Sequence, residues 1–136
     1  TLDLGDGVTM RTAPLNHPNR ATGYRIDYGG RSICYITDTE HVPGEPDENV
    51  AGLIHGADLV IYDGTYTDDE FPNHITWGHS TWQEGLRMCE ANDVKRYVLF
   101  HHDPGRDDDQ LDEIGRQLEA LRPGTVVARE GMVLNP

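Results

Sequence analysis

Acidic and imidazole side chains follow four apolar segments of this 136-residue chain. In chain order they are His17, Asp38, Asp63 and the adjacent pair His101 and His102. Imidazole and carboxylate groups are the ligand types that suit zinc, iron or manganese. If the apolar segments are strands of one layered sheet, their carboxyl ends converge at one edge, where ligands gather. The pattern therefore indicates a metal site, although each residue alone could equally be a turn former or a surface side chain.

The segments that would position these side chains begin with a predicted β-hairpin. Residues 8–15 predict a strand, and residues 21–28 alternate between apolar and charged side chains in the period of a second strand. Gly29-Gly30 then precedes an apolar strand at 31–37. Tight hairpin turns need positive φ, which glycine adopts at little cost, so these two strands are expected to pair.

Strands and helices alternate in the rest of the chain. Strands are predicted at 59–62, 96–100, 125–128 and 132–134, and helices at 49–55, 80–92 and 107–121. Residues 2–7 are predicted to form a turn before the first strand. Residues 64–78 are a long polar loop, which in a compact domain is usually functional or disordered. A hairpin followed by strand–helix alternation predicts an α/β fold in which helices cover a sheet.

Composition narrows the classes of partner. The chain has 11 basic and 24 acidic residues and a net charge of −13. A long nucleic acid would be repelled, whereas a small phosphodiester whose charge is met by metal ions stays compatible with this charge. No apolar run approaches the roughly 20 residues that span a bilayer, so a cytoplasmic protein without membrane contact is expected. Cys34 and Cys89 lie in apolar segments and are predicted to be buried free thiols.

Four short strings occur in a fixed order along the chain. They are His17-Pro18 with residues 22–26 (TGYRI), residues 33–39 (ICYITDT), residues 78–81 (GHST) and residues 99–104 (LFHHDP). Together they resemble the third, fourth and final metal motifs and the His-Ser-Thr segment of the metallo-β-lactamase superfamily. The resemblance is closest to the branch that includes ribonuclease Z and phosphodiesterase-like hydrolases, and it covers nearly the whole chain.

The resemblance implies a fold as well as a site. Residues 1–136 would form the C-terminal half of the superfamily's four-layer αββα sandwich. The hallmark His-x-His-x-Asp-His run, which belongs to the N-terminal half, is not present in these residues. Half of a sandwich would expose its inner sheet face, so the missing N-terminal half, a partner chain or a homo-oligomer contact is expected to cover it.

The resemblance also implies a role for each residue of the site. His17 would bind one of two divalent metal ions, Asp38 would bridge both, and His101 would bind the second. Zinc is the favoured metal, with manganese or iron as alternatives. His79 would act as the general acid at the leaving-group oxygen, a task that suits a pKa near neutrality.

Several roles have two interpretations. Neighbouring residues of an extended chain point to opposite sides, so one of His101 and His102 would face the metals; the resemblance favours His101 and leaves His102 behind the site. Asp63 either orients a ligand histidine or caps the following loop. Tyr66 and Trp77 either line a substrate pocket or pack beneath the loop. The remaining histidines carry no motif and are expected at the surface: His41, His55 and His74.

The function that these roles imply is a dinuclear-metal phosphodiesterase acting on a small phosphodiester such as a cyclic nucleotide. With only three of the ligands, residues 1–136 alone are expected to bind metal poorly and to be inactive. The alternative is a non-catalytic interaction or regulatory module on a truncated hydrolase scaffold. A His-x-His-x-Asp-His run encoded before Thr1 would favour the enzyme over the module.

Overall fold

The computed structural model describes all 136 residues and contains one mixed sheet of seven strands. The strands are β1 (Leu2–Gly5), β2 (Val8–Leu15), β3 (Ala21–Tyr28), β4 (Arg31–Ile36), β5 (Leu59–Asp63), β6 (Arg96–Phe100) and β7 (Val126–Val127). Their order in the sheet is their order in the chain. The first four strands pair antiparallel, and β4 to β7 pair parallel. The predicted α/β class is confirmed.

The predicted hairpin is present as β3 and β4. Tyr28 pairs with Arg31 across a two-residue turn, and both turn residues, Gly29 and Gly30, have positive φ of 57° and 75°. Positive φ at both central positions is the geometry that matches the twist of the flanking strands. The Gly-Gly sequence therefore sets the register of the pair that leads to Asp38.

Two predictions at the ends of the chain were wrong. Residues 2–7 form β1 and a turn, rather than a turn alone, because Leu2 and Asp3 pair with β2. Both leucines of β1 are exposed, so the strand has no buried face that a pattern could reveal. Residues 132–134 form no strand. The Ala128 N–H still donates to the Leu99 carbonyl, after which the chain turns away from the sheet.

Three helices cover one face of the sheet. They are α1 (Glu48–Ile54), α2 (Trp82–Ala91) and α3 (Asp108–Leu121). Asp47, Thr81 and Asp107 cap their N-termini by accepting backbone N–H donors, which are otherwise unpaired in the first turn. None of these helices is both long enough and apolar enough to cross a membrane.

The core lies between the helices and the facing side of the sheet. Alternate residues of β4, β5 and β6 point into it, among them Cys34, Tyr62 and Leu99. Cys34 and Cys89 are both buried and unpaired, as predicted. Burial raises the pKa of the Cys34 thiol to about 11 and that of the Cys89 thiol to about 12, so both stay protonated at neutral pH.

The opposite face of the sheet carries exposed aromatic and aliphatic side chains. Tyr24, Ile26 and Tyr28 of β3 and Tyr35 of β4 are all between 39% and 61% exposed. On the covered face of β3, Arg25 is buried instead and donates hydrogen bonds to the carbonyl oxygens of residues 53 and 55 at the end of α1. The arginine thus occupies helix carbonyls that have no partner within the helix.

Asp58 directly precedes β5 and links the starts of β4, β5 and β6, at the opposite end of these strands from the candidate site. Its carboxylate accepts hydrogen bonds from the Ser32 backbone N–H at 2.8 Å and from Lys95 at 2.7 Å. The Lys95 ammonium, together with hydrogen bonds from Ser32 and Arg31, holds the pKa of the Asp58 carboxyl well below its usual range, and burial opposes this shift. The cations are more than half exposed, so solvent screens much of their attraction.

Replacement of this carboxylate is expected to destabilise the protein. Asp58→Ala leaves the buried Ser32 N–H without its acceptor and should cost about 2 kcal/mol of unfolding free energy at pH 7. Because the folded-state pKa is lowered, the stabilisation exists above the unfolded-state pKa of about 3.9 and disappears as pH falls further. Urea denaturation at pH 7 and at pH 3 should therefore show a smaller difference from wild type at pH 3.

The matched control for this experiment is Asp69→Ala, because Asp69 is exposed and takes part in no side-chain ion pair. It should change the unfolding free energy by less than about 0.5 kcal/mol. An Asp58→Ala protein as stable as the Asp69→Ala protein at pH 7 would show that the Asp58 cluster contributes nothing to folding.

Candidate metal centre and catalytic site

Four strands end at one edge of the sheet with a residue capable of acid–base chemistry or metal binding. Strands β2 and β4 are each antiparallel to β3, and β4, β5 and β6 are mutually parallel. Therefore β2, β4, β5 and β6 all run in the same direction. His17, Asp38, Asp63 and His101 lie at or just after their carboxyl ends. The convergence that the sequence predicted is present.

Asp38 and His101 face each other across this edge. The distance from Asp38 Oδ1 to His101 Nε2 is 3.2 Å. Both residues have left-handed backbone conformations, with φ of 59° and 58°. Such conformations cost non-glycine residues roughly 1 kcal/mol or more and cluster at functional sites. The turns after β4 and β6 thus hold strained backbone that brings the two side chains together.

Thr65 orients the His101 ring. Its hydroxyl oxygen lies 2.7 Å from the His101 carbonyl oxygen, 2.9 Å from Asp63 Oδ1 and 3.1 Å from His101 Nδ1. The carbonyl and the carboxylate can only accept, so the single hydroxyl proton goes to one of them. Thr65 then accepts from a protonated Nδ1. In that tautomer the Nε2 lone pair faces the Asp38 carboxylate, an arrangement that a cation between them would stabilise.

Asp63 is fully buried and holds His79. The distance from Asp63 Oδ2 to His79 Nδ1 is 3.0 Å. The same carboxylate also accepts from the backbone N–H groups of Thr39, Thr65 and Ser80, and the Thr65 hydroxyl oxygen lies 2.9 Å from its Oδ1. A carboxylate so bonded fixes a histidine with its proton on Nδ1 and leaves Nε2 free to face a substrate.

The charge around His79 favours its protonated form. The hydrogen bond from His79 to Asp63 raises the pKa of the imidazole above its ordinary value, and the charges of Asp63, Asp38 and Glu40 act in the same direction. Partial burial opposes this shift. A histidine that keeps its proton near neutral pH can give that proton to a leaving group.

The ligand atoms of Asp38, Asp63, His79 and His101 all lie within 4.8 Å of one another. His17 is outside this group. Its ring centroid is 5.9 Å from that of His79, and its Nδ1 accepts a hydrogen bond from the Asn19 N–H at 3.2 Å. His17 therefore borders the cluster, and its role as a ligand remains a prediction.

Gly78 is required where the His17 ring approaches the chain. Its φ is 89°, and a Cβ atom there would lie 2.3 Å from His17 Cδ2. No side chain fits at that distance, and the backbone conformation is one that glycine adopts at little cost. The glycine before His79 thus lets two of the predicted site loops pack directly against each other.

His102 and Asp63 differ in their relation to the cluster. His102 lies away from the cluster, and its Nε2 is 3.0 Å from the Ala128 carbonyl oxygen. It packs against the segment after β7, while His101 faces Asp38. Asp63 both caps its own loop, through Thr65, and orients a histidine, which is His79.

His41 was expected at the surface, and that prediction was wrong. The residue is 7% exposed, its Nδ1 lies 2.8 Å from Ser80 Oγ, and its ring stacks on Phe71 at a centroid distance of 4.2 Å. Ser80 Oγ also lies 3.3 Å from the hydroxyl of buried Tyr62. Burial lowers the pKa of His41, in contrast to that of His79. The serine of the GHST string therefore fixes the segment beneath His79.

The donor set fits a divalent metal ion. Two ligands of one tetrahedral zinc, each about 2.1 Å from the ion, lie about 3.4 Å apart. The Asp38 Oδ1 to His101 Nε2 distance of 3.2 Å is close to that separation. Asp38 is half-exposed, and its carboxylate is not engaged by any arginine or lysine. The Asp63 carboxylate differs from that of Asp38, because N–H groups already donate hydrogen bonds to both of its oxygens.

Two functional residues were missed by sequence reasoning. Thr65 is one, and its signal is its place two residues after a strand-end aspartate. Glu40 is the other, because its carboxylate accepts from the Thr76 N–H at 3.0 Å and the Gly78 N–H at 2.9 Å. Its backbone also pairs with Asn16. Glu40 thus connects the loops that carry His17, Asp38 and His79.

Comparison with known proteins agrees with this geometry. The family model described as the beta-lactamase superfamily domain matches residues 1–102, well over half of the chain and the whole segment from β1 to His102. The chain belongs to the metallo-β-lactamase superfamily.

Relatives within this superfamily carry the name ribonuclease Z. The ribonuclease Z of Haloferax volcanii is 33% identical over 100 residues, which are 74% of this chain and 27% of that protein. The chain spans about a quarter to a third of the length of the first curated relatives it matches. The predicted resemblance to the ribonuclease Z branch is confirmed.

Solved structures of the superfamily share the fold. Human tRNase Z, short form, has a TM-score of 0.72 with 23% identity, over 98% of this chain and 44% of that one. A diphosphatase from the PhnP family has a TM-score of 0.68 with 23% identity, over 95% of this chain and 44% of that one. At these identities the likeness concerns the metallo-β-lactamase fold alone.

Proposed function

We propose that the longest natural form of this protein is a metal-dependent hydrolase of small phosphodiesters, such as cyclic nucleotides, with a dinuclear metal site. The observation that carries the proposal is the pairing of His79 with buried Asp63 beside the facing side chains of Asp38 and His101. The His101 ring stacks on the His79 ring at a centroid distance of 4.8 Å. An ion pair with a purely structural role would not need this second histidine.

In this proposal His17, Asp38 and His101 would hold two metal ions, with His17 on one ion, His101 on the other and the Asp38 carboxylate serving both, and zinc is favoured over manganese or iron. When bound, the ions supply the positive charge that activates a water molecule and offsets the phosphoryl oxygens. Thr65 would accept from Nδ1 of His101 and so leave the Nε2 lone pair, which is directed at Asp38, available to a metal ion. The remaining ligands come from a His-x-His-x-Asp-His run outside these residues.

His79 acts on the leaving group. Asp63 accepts from Nδ1, so the proton available for transfer sits on Nε2, and the raised pKa of His79 favours this protonated form. Transfer of that proton to the departing oxygen prevents the build-up of alkoxide charge. The net charge of −13 favours a small substrate over a long nucleic acid, which would be repelled along its whole length.

The exposed face of the sheet belongs to the same proposal. The missing half of the sandwich, or else a partner chain or a second copy, covers the side chains of Tyr24, Ile26, Tyr28 and Tyr35. Residues 1–136 alone are inactive, because three ligands shared by two ions leave each ion short of the three protein ligands that catalytic zinc normally keeps.

The test is metal analysis and hydrolysis of bis(p-nitrophenyl) phosphate by the longest natural form. About two zinc, manganese or iron ions per chain are expected, with turnover that a chelator abolishes and added metal restores. The 136-residue chain alone, assayed in parallel, should show neither bound metal nor turnover.

A folded full-length protein that binds no metal and hydrolyses no diester would contradict the proposal. It would instead support the non-catalytic interaction or regulatory module. A protein that binds metal and hydrolyses a thioester or lactone, but no phosphodiester, would still be a metal-dependent hydrolase. In that case the proposed phosphodiester substrate would be rejected.

A further inference from the structure

Trp77 is a large apolar side chain displayed beside the candidate site. It is 61% exposed and lies two residues before His79, whereas the other tryptophan, Trp82, is 4% exposed in the core. Neighbouring Ile75 is 54% exposed. Single exposed apolar residues are ordinary on a protein surface, but these two lie two residues apart on the loop that also carries the proposed general acid, so they are candidates for contact with a ligand.

The turn that presents Trp77 is rigidly held. The Trp77 N–H donates to the His74 carbonyl at 3.1 Å, and the Glu40 carboxylate accepts from the N–H groups on both sides of Trp77, those of Thr76 and Gly78. Thr76 has a φ of 77°, which is a genuine outlier for a β-branched residue. Such a conformation persists where the surroundings over-determine it.

Aromatic contacts support the turn from below. The His74 ring stacks on buried Tyr66 at a centroid distance of 4.1 Å, and its Nδ1 lies 2.9 Å from the Glu70 carbonyl oxygen. Trp77 meets His74 at 5.0 Å with the two rings nearly perpendicular. Trp77 is therefore fixed through one neighbouring ring while most of its own ring surface stays free. Tyr66 packs beneath the loop, and Trp77 does not.

A pre-organised indole is suited to binding a planar ring. Stacking on a rigid aromatic side chain costs little conformational entropy, because few torsions are lost on binding. Stacking also needs no positive charge, so it offers an acidic protein a way to hold an organic group whose phosphate is bound elsewhere. Trp77 precedes His79 by two residues, so the indole is carried by the same loop as the residue that would protonate the leaving group.

We infer that Trp77, the exposed indole of the loop before His79, is the surface on which a planar ring of the substrate stacks. The site then selects phosphate esters that carry a nucleobase or another aromatic ring over esters that carry none. This inference rests on the proposed function, since it assigns the part of the substrate next to the scissile ester. Trp77 acts here as a specificity-determining residue.

The test compares two ligands that differ by one ring. Adenosine 5′-monophosphate and ribose 5-phosphate share their phosphate and sugar, and only the first has a base. Calorimetric titration of the metal-loaded, longest natural form should show that adenosine 5′-monophosphate binds about tenfold more tightly than ribose 5-phosphate. Such a difference is a typical contribution of one base–aromatic stack. Trp77→Ala should reduce the ratio of the two affinities to about one, and Trp77→Phe should retain most of it.

Leu121→Ala is the matched control, because Leu121 is also 61% exposed but lies at the end of α3, on the face of the sheet that the helices cover. It should leave the affinity ratio unchanged. Equal affinities in the wild type, or a ratio that survives Trp77→Ala, would overturn the inference. A large fall in thermal stability in Trp77→Ala would also overturn it, because it would mean that the rest of the protein covers the indole. If the protein hydrolyses no diester but still binds adenosine 5′-monophosphate more tightly than ribose 5-phosphate, the proposed reaction is rejected and the stacking surface is retained.

Discussion

Asp38→Asn in the longest natural form should lower kcat/KM for a phosphodiester by about a thousandfold or more, with a parallel loss of bound metal. The amide has the shape of the carboxylate but no charge to offset two cations, and it offers one good acceptor oxygen in place of two. Asparagine tolerates left-handed backbone, so the φ of 59° at this position is preserved. The loss would therefore report on the metal ligand and not on the turn after β4.

A matched control exists elsewhere in the chain. Asp93 also has a left-handed backbone, with φ of 54°, but it lies between α2 and β6 at the opposite edge of the sheet. Asp93→Asn should leave the metal content and turnover at wild-type levels. Retention of full metal content and activity by Asp38→Asn would remove Asp38 from the ligand set.

His79→Gln should lower kcat by about a hundredfold to ten-thousandfold while the bound metal stays at the wild-type level. The reason is that His79 is fixed by Asp63 and, in the proposed mechanism, gives a proton without binding metal. The loss should depend on the leaving group. p-Nitrophenolate leaves without much protonation, so a nitrophenyl diester should lose far less rate than a diester with an alkyl leaving group of high pKa.

Asp63→Asn should reproduce most of this effect, because an amide can donate to Nδ1 and so favour the wrong histidine tautomer. His55→Gln is the matched histidine control, since His55 is exposed at the end of α1. If His79→Gln removed metal in proportion to activity, His79 would be a ligand and the general-acid role would fail.

The sequence predicted the site residues at the strand ends more fully than the residues that support them. The ends of β2, β4, β5 and β6 follow from apolar runs that stop at a polar residue, and Asp38, Asp63 and His101 lie there as expected. Those runs have a local signature, because burial imposes a period on neighbouring residues. The positions of candidate ligands at strand ends are therefore accessible to sequence reasoning.

The residues that brace the site have no such signature. Glu40 reaches the turn at residues 76–78, and His41 reaches Ser80, across 36 to 39 residues of chain. Contacts of that kind depend on how separate loops meet, and no spacing rule links a glutamate to a backbone N–H so far away. Arg25 is similar, because an arginine on an alternating strand predicts exposure, and only the unpaired carbonyls of α1 explain its burial.

The order of the strands in the sheet also determines how the protein forms during synthesis. Each strand pairs with the one before it, so the sheet can grow from β1 to β7 as the chain leaves the ribosome. The antiparallel pairs from β1 to β4 close over short connections, whereas each parallel pair from β4 to β7 must wait for a longer crossover that contains a helix or, after β6, the whole of α3. The side chains of the cluster arrive in the same sequence, with His101 last. Nascent chains that stop before β6 can pair β1 to β5 but lack His101, so Asp38 and His101 come together only after β6 has joined the sheet.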